Sequence, residues 1–580
     1  MANSNQASLT KQWLPVFAIT IMAISMIGYL ASHSPNFHLD QFTRLKPVFN
    51  LVAGEDYTSG TLWHTVQPAG GFITYFFTFF LGDIEYGAMA GSILSYTLLV
   101  PLIFYCGKYL FDYKTGIIAA IFLVFCPTQI WLSHQSISEP MFELILFLGF
   151  LSHVRIILEG PSWRRCIVHG IITGTMWLFR AEGFLPMFLS YTHLTAILLV
   201  HHYKKQAWGG VYFNRSVKMV ALSVLFYLIT AGPWIGMVQH YTGKLHFIGR
   251  TGVEAFTDMT VKDGLVTFDY GTDGAASDSK KLKNQSTSIP LHILKNLGSF
   301  LTFIKVNLPT AGRLMVKVFK HIFIPLLLII LISFLFPRKA LLPISEMSWR
   351  TFNIFTSLFV FASPIIVLLM YWQFERFYLP YYPYFILLFA TLTSRLVDII
   401  PVRPITLWAI SGTIFFAQLL LPLPGIPYKP ELPMYLKSRA MNKYWGTRAA
   451  GEWLATHCKD VEQLSFAGTS NYRNMRTIAF MASGKNIRFE DETDIRFTLI
   501  HNKKPDIPSI IKKLLDSGET DVLVLDDFTI SFATAMQPIW NNPKLASDFG
   551  LVMIHQDPDY TFQIYGSTSQ NGRYKCHPSY

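Results

Sequence analysis

A small set of ionisable residues interrupts otherwise apolar sequence. Asp40 lies in FHLDQFTRL and His64 in TLWHTVQPAGGF. Glu139 lies in SHQSISEP, Arg180 and Glu182 in LFRAEGFLP, and Glu375 and Arg376 in QFERFYLPYYP. Carboxylates and imidazoles are the groups that take and give protons, and a guanidinium grips phosphate oxygens through two donors at once. Ionisable groups inside or beside apolar segments are expensive, so each needs a reason.

Each also has a plain structural reading. Asp40 alone fits a helix cap or a solvated loop acid. Ser138, Glu139 and Pro140 read as a helix start: a capping hydroxyl, an acid near the positive end of the dipole and a proline in the first turn. Arg180 and Glu182 are close enough in sequence to pair with each other, and Arg376 to snorkel toward headgroups. Glu143, one turn beyond Glu139, fits none of these, because it should lie below the interface. The Trp and Tyr residues around 371–384 fit an aromatic belt.

What must position these residues is a set of membrane helices. Of 580 residues, 51% are hydrophobic and only 14% charged, where a soluble globular chain carries about 25% charged residues. The deficit excludes disorder, a coiled coil, a disulfide-rich secreted module and an ordinary cytosolic enzyme. Apolar runs fall near 13–31, 86–106, 116–132, 140–159, 166–180, 183–200, 217–237, 321–337, 351–371, 378–394 and 405–422. At about 20 mostly apolar residues per crossing, this predicts a polytopic α-helical membrane protein of about eleven spans. The first run is longer than a signal-peptide core of about 7–15 residues and reads as a retained anchor.

With the N-terminus inside, the short basic loops collect on the cytoplasmic side. They carry Lys108 and Lys114, then Arg164 and Arg165, then Lys204, Lys205, Arg215 and Lys218, then Arg338, Lys339 and Arg350, then Arg395 and Arg403. The net charge of +12 is therefore read as the positive-inside bias and not as a nucleic-acid footprint. The outer loops are 32–85 and 239–320, and all the ionisable residues named at the outset fall at outer turns.

After Pro422, Pro424, Pro427, Pro430 and Pro433, which stiffen the exit from the membrane, the texture changes. Amphipathic helix patterns at 446–457 and 507–518 alternate with strand-like runs at 463–468, 520–527, 549–555 and 560–566. Such alternation predicts a small α/β domain. The expected organisation is a membrane domain over 1–425 and an exported α/β domain over 430–580. Among the five cysteines no zinc spacing occurs. Cys106, Cys126 and Cys166 read as small hydrophobes, and pairing of Cys458 with Cys576 stays open.

In chain order the sequence presents FHLDQFTRL, HTVQPAGGFITYFF, LSHQSISEPMFELILFL, GIITGTMWLFRAEGFLPMF, GPWIG at 232–236 and ERFYLPYYPYFILL. Over roughly residues 10–425 this order resembles the membrane glycosyltransferases of the GT-C fold, in the broad group of protein O-mannosyltransferases and the lipid A aminoarabinose transferase. The resemblance implies a polyprenyl-phosphate-linked sugar donor and a protein, lipid or polysaccharide acceptor on the outer face of the membrane. It implies Asp40 as general base for an inverting attack. Arg180 and Arg376 would hold the donor phosphate, with His64 as a third contact, and Glu139 and Glu182 would orient those cations or the sugar hydroxyls. Two departures stand out. Gln41 follows Asp40 where a second carboxylate is often found, so no metal ligands are assigned and a divalent cation stays open. Gln67 stands where some members carry Lys.

The expected location is the bacterial inner membrane with the C-terminal domain periplasmic, or the endoplasmic reticulum in a eukaryote. Two other classes remain. A transporter or lipid flippase would put charge near the midplane and broken helices in related halves. A non-catalytic envelope-assembly or receptor subunit would use the α/β domain for binding.

Overall fold

The computed structural model describes residues 2–33, 67–82, 84–135, 137–242, 349–365 and 375–399, then 449–450, 466–468, 507–517, 522–526, 536–558 and 562–567, with scattered single residues between. The chain divides into two compact units. One comprises Met1–Phe37, Thr61–Asp263 and Ile289–Lys437; the other comprises His38–Gly60, Gly264–Ser288 and Ser438–Tyr580.

The first unit is helical. Helix α1 runs Ala2–His33. Helix α2, Pro68–Leu81, opens with proline at its first turn and stops at Gly82, whose left-handed backbone returns its N–H to the Thr78 carbonyl at 2.8 Å. Helix α3, Ile84–Leu110, follows at once and packs back on α2. Asp112 caps α4, Tyr113–Phe125, by accepting from the Thr115 N–H. Helices α5 (Pro127–Ser133), α6 (Glu139–Glu159), α7 (Trp163–Phe179), α8 (Phe184–Tyr203) and α9 (Phe213–Thr242) follow. After them come α10 (Trp349–Ala362), a 3-10 turn (Glu375–Tyr381) and α11 (Tyr382–Ile399).

Among the described residues, five helices are long and apolar enough to cross a membrane by length and composition: Trp13–Ala31, Tyr86–Leu110, Glu139–Glu159, Phe184–Tyr203 and Phe213–Tyr241. The run at 116–132, expected as one span, is two helices. Pro127 has no N–H to continue the ladder and holds Cys126 in an extended conformation, so the chain breaks there. The runs at 321–337 and 405–422 lie outside the described residues. The expected aromatic belt at 371–384 also needs correction. Tyr378, Tyr381, Tyr382 and Tyr384 are buried: the 3-10 turn that carries the first two packs against α5 and α6 instead of facing headgroups, and the other two open α11.

Two devices bind these helices together. Gly170 and Gly174, one turn apart on α7, let α9 approach closely. A Cβ on Gly170 would collide with the Ser223 carbonyl oxygen, and one on Gly174 would stand 2.7 Å from Thr230 Cβ. Small residues at such spacing let membrane helices touch backbone to backbone. The second device is a buried hydrogen-bonded chain. Ser190 Oγ on α8 contacts His153 Nδ1 on α6 at 2.9 Å and His169 Nε2 on α7 at 3.0 Å. His169 Nδ1 meets Ser152 Oγ at 2.8 Å, and His153 Nε2 meets His193 Nδ1 at 3.1 Å. Cys106, Cys126 and Cys166 are free, buried thiols.

The second unit holds a four-stranded sheet of β1 (Phe466–Gly468), β2 (Val522–Asp526), β3 (Leu551–Gln556) and β4 (Phe562–Ser567), in the order β1-β2-β4-β3. Only β1 and β2 pair in parallel. Each of the four strand-like runs read from the sequence overlaps one of these strands, and β3 and β4 each end one residue beyond their run. Helix α12, Ile507–Asp516, places Ile511 and Leu515 against Leu523, Leu525 and Tyr565 of the sheet. Helix α13, Gln537–Asn541, adds Ile539 to the same core.

The α7–α9 contact makes a direct prediction. Gly170→Ala should lower the melting temperature in detergent, by overpacking worth about 1–3 kcal/mol. Gly232→Ala on α9, where nothing lies within 4 Å, should leave it unchanged or slightly raised. Equal behaviour of the two variants would refute the close approach.

Candidate active site

The start of α6 and the end of α7 meet in a buried charge cluster. Ser138 occupies the cap position of α6 but makes no side-chain cap bond, and Glu139 and Pro140 form the first turn. Helix α7 ends at Arg180, which turns to extended backbone, and Glu182 sits in the single 3-10 turn that leads into α8. Local sequence thus places all three ionisable side chains at helix ends.

Arg180 binds both carboxylates. One terminal nitrogen donates to Glu139 Oε1 at 2.8 Å; the other donates to Glu182 Oε1 at 2.8 Å, and Nε donates to Glu182 Oε2 at 3.3 Å. The Arg180 side chain is 6% exposed and that of Glu139 is 0% exposed. The guanidinium lies 5.9 Å from the Phe142 ring centroid, and the Tyr381 phenol is within electrostatic reach of Arg180 and Glu182. The plain reading of Arg180 with Glu182 as a pair is therefore half of the arrangement, since Glu139 is the other half. Glu139 stands in the first turn of α6, as read from the sequence, and is at the same time a buried counter-ion.

Surrounding elements hold this corner in place. Ser92 on α3 donates to the Ile137 carbonyl at 2.6 Å, and Gly70 on α2 comes within 3.7 Å of Ser138 when given a Cβ. One turn below Glu139, Glu143 is fully buried and accepts from Gln129 Nε2 at 2.6 Å. Its other oxygen has no hydrogen-bond partner among the described residues. His134, also buried, contacts the Ile130 carbonyl through Nδ1 at 3.1 Å.

Of the residues singled out from sequence, the structure brings together Glu139, Arg180 and Glu182. Asp40 and His64 lie outside the described residues, and so does the Arg376 side chain, although its backbone belongs to the 3-10 turn that delivers Tyr381. Sequence reasoning missed Tyr381 and Gln129. Tyr381 was absorbed into an expected aromatic belt, and the Gln129 pairing carries no signal because its partner, Glu143, lies across a helix break. Among the described residues, no group of three or more His, Cys, Asp or Glu is placed to hold a metal ion.

No family model and no curated relative matches the chain. Among solved structures it is similar to ArnT from Cupriavidus metallidurans bound to undecaprenyl phosphate, with a TM-score of 0.55 at 11% identity over 97% of this chain and 99% of that one. It is also similar to the same protein in the apo state, with a TM-score of 0.53 at 11% identity over the full length of both. The fold is that of the GT-C membrane glycosyltransferases. At this identity the likeness is one of fold, so the GT-C assignment rests on the helical architecture, and the site residues rest on the geometry above.

The cluster should behave as one unit. Removing one partner of a buried ion pair costs about 3–5 kcal/mol, so Arg180→Met and Glu139→Gln should each strongly destabilise the protein in detergent. The double variant should be less damaged than the sum of the two, with a coupling above about 1 kcal/mol. Strictly additive losses in thermal unfolding would show that the two side chains are not energetically paired.

Proposed function

We propose that this chain is an integral membrane glycosyltransferase that moves a sugar from a polyprenyl-phosphate donor to an acceptor hydroxyl at the outer face. The observation that carries the reading is the buried Glu139–Arg180–Glu182 cluster at one end of a GT-C helical fold. The resemblance to a protein seen with undecaprenyl phosphate supports a lipid-linked phosphate as the donor class.

Transfer requires two kinds of help. A base removes the acceptor proton, and cations stabilise the phosphate as it leaves. In the proposed reaction Asp40 takes the proton, the acceptor oxygen attacks C1 of the sugar, and the C1–O bond to phosphate breaks with inversion. The bond electrons leave with the polyprenyl phosphate. Arg180 and Arg376 are assigned to the phosphate, with His64 as a third contact. Glu139 and Glu182 fix the plane of the Arg180 guanidinium, so little reorganisation is left for the reaction itself. The prenyl chain would lie between apolar helices. The C-terminal unit is assigned to the outer side of the membrane. The bacterial inner membrane is the proposed location, and the sugar is a hexose or a pentose.

The assignment of Asp40 is tested by Asp40→Asn. Turnover of a radiolabelled polyprenyl-phosphate sugar should fall by at least about 100-fold, with donor binding retained. Near-normal turnover would remove Asp40 from the base role. Arg180→Lys, which keeps the charge but loses the fork, should weaken donor affinity. A protein that moves labelled lipid across vesicles without cleaving the sugar linkage would instead be the transporter.

A further inference from the structure

Helix α8 links two different surfaces. It begins just after Glu182 at the charge cluster and ends at Tyr203, so its 20 residues span about 30 Å, the thickness of a bilayer core. At the far end the chain turns through Lys204 and Lys205 into α9, whose first turns carry Arg215 and Lys218. Helix α10 begins beside them with Trp349 and Arg350. Lys204, Lys205, Arg215, Lys218 and Arg350 are all exposed.

Three further features mark this face as built for anionic headgroups. First, exposed aromatics sit among the cations: Tyr203, Tyr212 and Trp349 are 89%, 80% and 51% exposed. Lys204 Nζ lies 5.8 Å from the Trp349 ring centroid. Aromatic rings interleaved with long basic side chains are what a headgroup layer accommodates. Second, Lys205 has a φ of 52°, the one non-glycine residue with positive φ among those described. Left-handed backbone disfavours lysine, so the turn keeps two adjacent cations at a conformational cost. Third, the described acids at this end are already engaged. Among the described side chains at this end, the acids are Asp112 and Glu159. Asp112 caps α4, and Glu159 is tied to Arg155, Arg165 and the Tyr109 hydroxyl.

We infer that the α8–α9 turn and the start of α10 form a binding surface for the headgroups of acidic phospholipids, on the membrane face opposite the charge cluster. Each Lys or Arg near such a surface contributes about 1 kcal/mol, and screening by salt should weaken the attraction. This inference needs only the membrane fold, and it stands or falls independently of any transferase activity.

The test uses the full-length protein equilibrated with equal amounts of phosphatidylcholine and phosphatidylglycerol in mixed micelles, with the retained lipids counted by native mass spectrometry. Wild type should retain phosphatidylglycerol with about tenfold enrichment, declining in 0.5 M salt, a concentration chosen to be about three times physiological ionic strength. Lys204→Gln/Lys205→Gln/Arg215→Gln/Arg350→Gln should bring the enrichment close to parity, while Lys512→Gln in the C-terminal unit should leave it unchanged. Equal uptake of both lipids by wild type, or full enrichment in the quadruple variant, would overturn the inference. Loss of the enrichment on adding millimolar inorganic phosphate at constant ionic strength would also overturn it, by pointing to a soluble anion in place of a lipid.

Discussion

A guanidinium buried beside two carboxylates is the constraint around which the helical unit is arranged. Left unpaired, any of these ions would cost several kcal/mol in an apolar interior. Glu139 must therefore stand where α7 ends, and Glu182 must turn back before α8 begins. That requirement fixes the first turn of α6 against the last turn of α7. Because a helix is rigid along its length, it also sets the register of everything below: Glu143 against Gln129 one turn down, then His153 against Ser190, then Glu159 against Arg165 at the far end.

The polar groups inside the bundle divide into two kinds. The chain from Ser152 through His169, Ser190 and His153 to His193 is closed at every link, with each ring nitrogen of His153 and His169 matched to a neighbour. A neutral imidazole offers one donor and one acceptor, and because Ser152 gives its hydroxyl proton to the Gly149 carbonyl at 2.8 Å, it accepts from His169, which sets the direction of the whole chain. Interhelical bonds of this kind add modestly to membrane-protein stability, but they also rule out sliding of α6 past α7 and α8. Glu143 is different, since one of its oxygens goes unmatched among the described residues. Its place one turn below the ion cluster makes it part of the same polar corner.

How much of this was legible in the sequence depended on the range of the interaction. Charges beside helix breaks were conspicuous against apolar runs, and Glu139, Arg180 and Glu182 stood out for that reason. The four strands were legible because alternation is a local signal. The break at Cys126 was not, since the hydropathy of 116–132 stays high across Pro127 and conceals a backbone limit. Tyr378 to Tyr384 resembled a headgroup belt because composition cannot say which way a turn packs. The histidine chain was invisible: its bonded partners are 17 to 40 residues apart, and only helix packing makes them neighbours.

Charge balance constrains how the cluster can serve the proposed transfer. Glu139 and Glu182 already outweigh Arg180, so the corner on its own is net negative and would repel a phosphate. A donor phosphodiester adds one more negative charge, which the proposed Arg376 contact would offset without correcting the original excess. Counting only the cluster, the phosphate and Arg376, one negative charge remains, and a further cation would have to offset it, the part proposed for His64. The demand grows as the C1–O bond breaks, because the departing polyprenyl phosphate gains negative charge during the step. Cations gathered from separate loops are then stronger ligands for the leaving group than for the bound donor, and that difference is the kind of interaction that accelerates a reaction instead of merely tightening substrate binding. On this reasoning the two carboxylates do more than hold Arg180: they keep the resting site from being a general phosphate trap, so that tight binding waits for the remaining cations to converge.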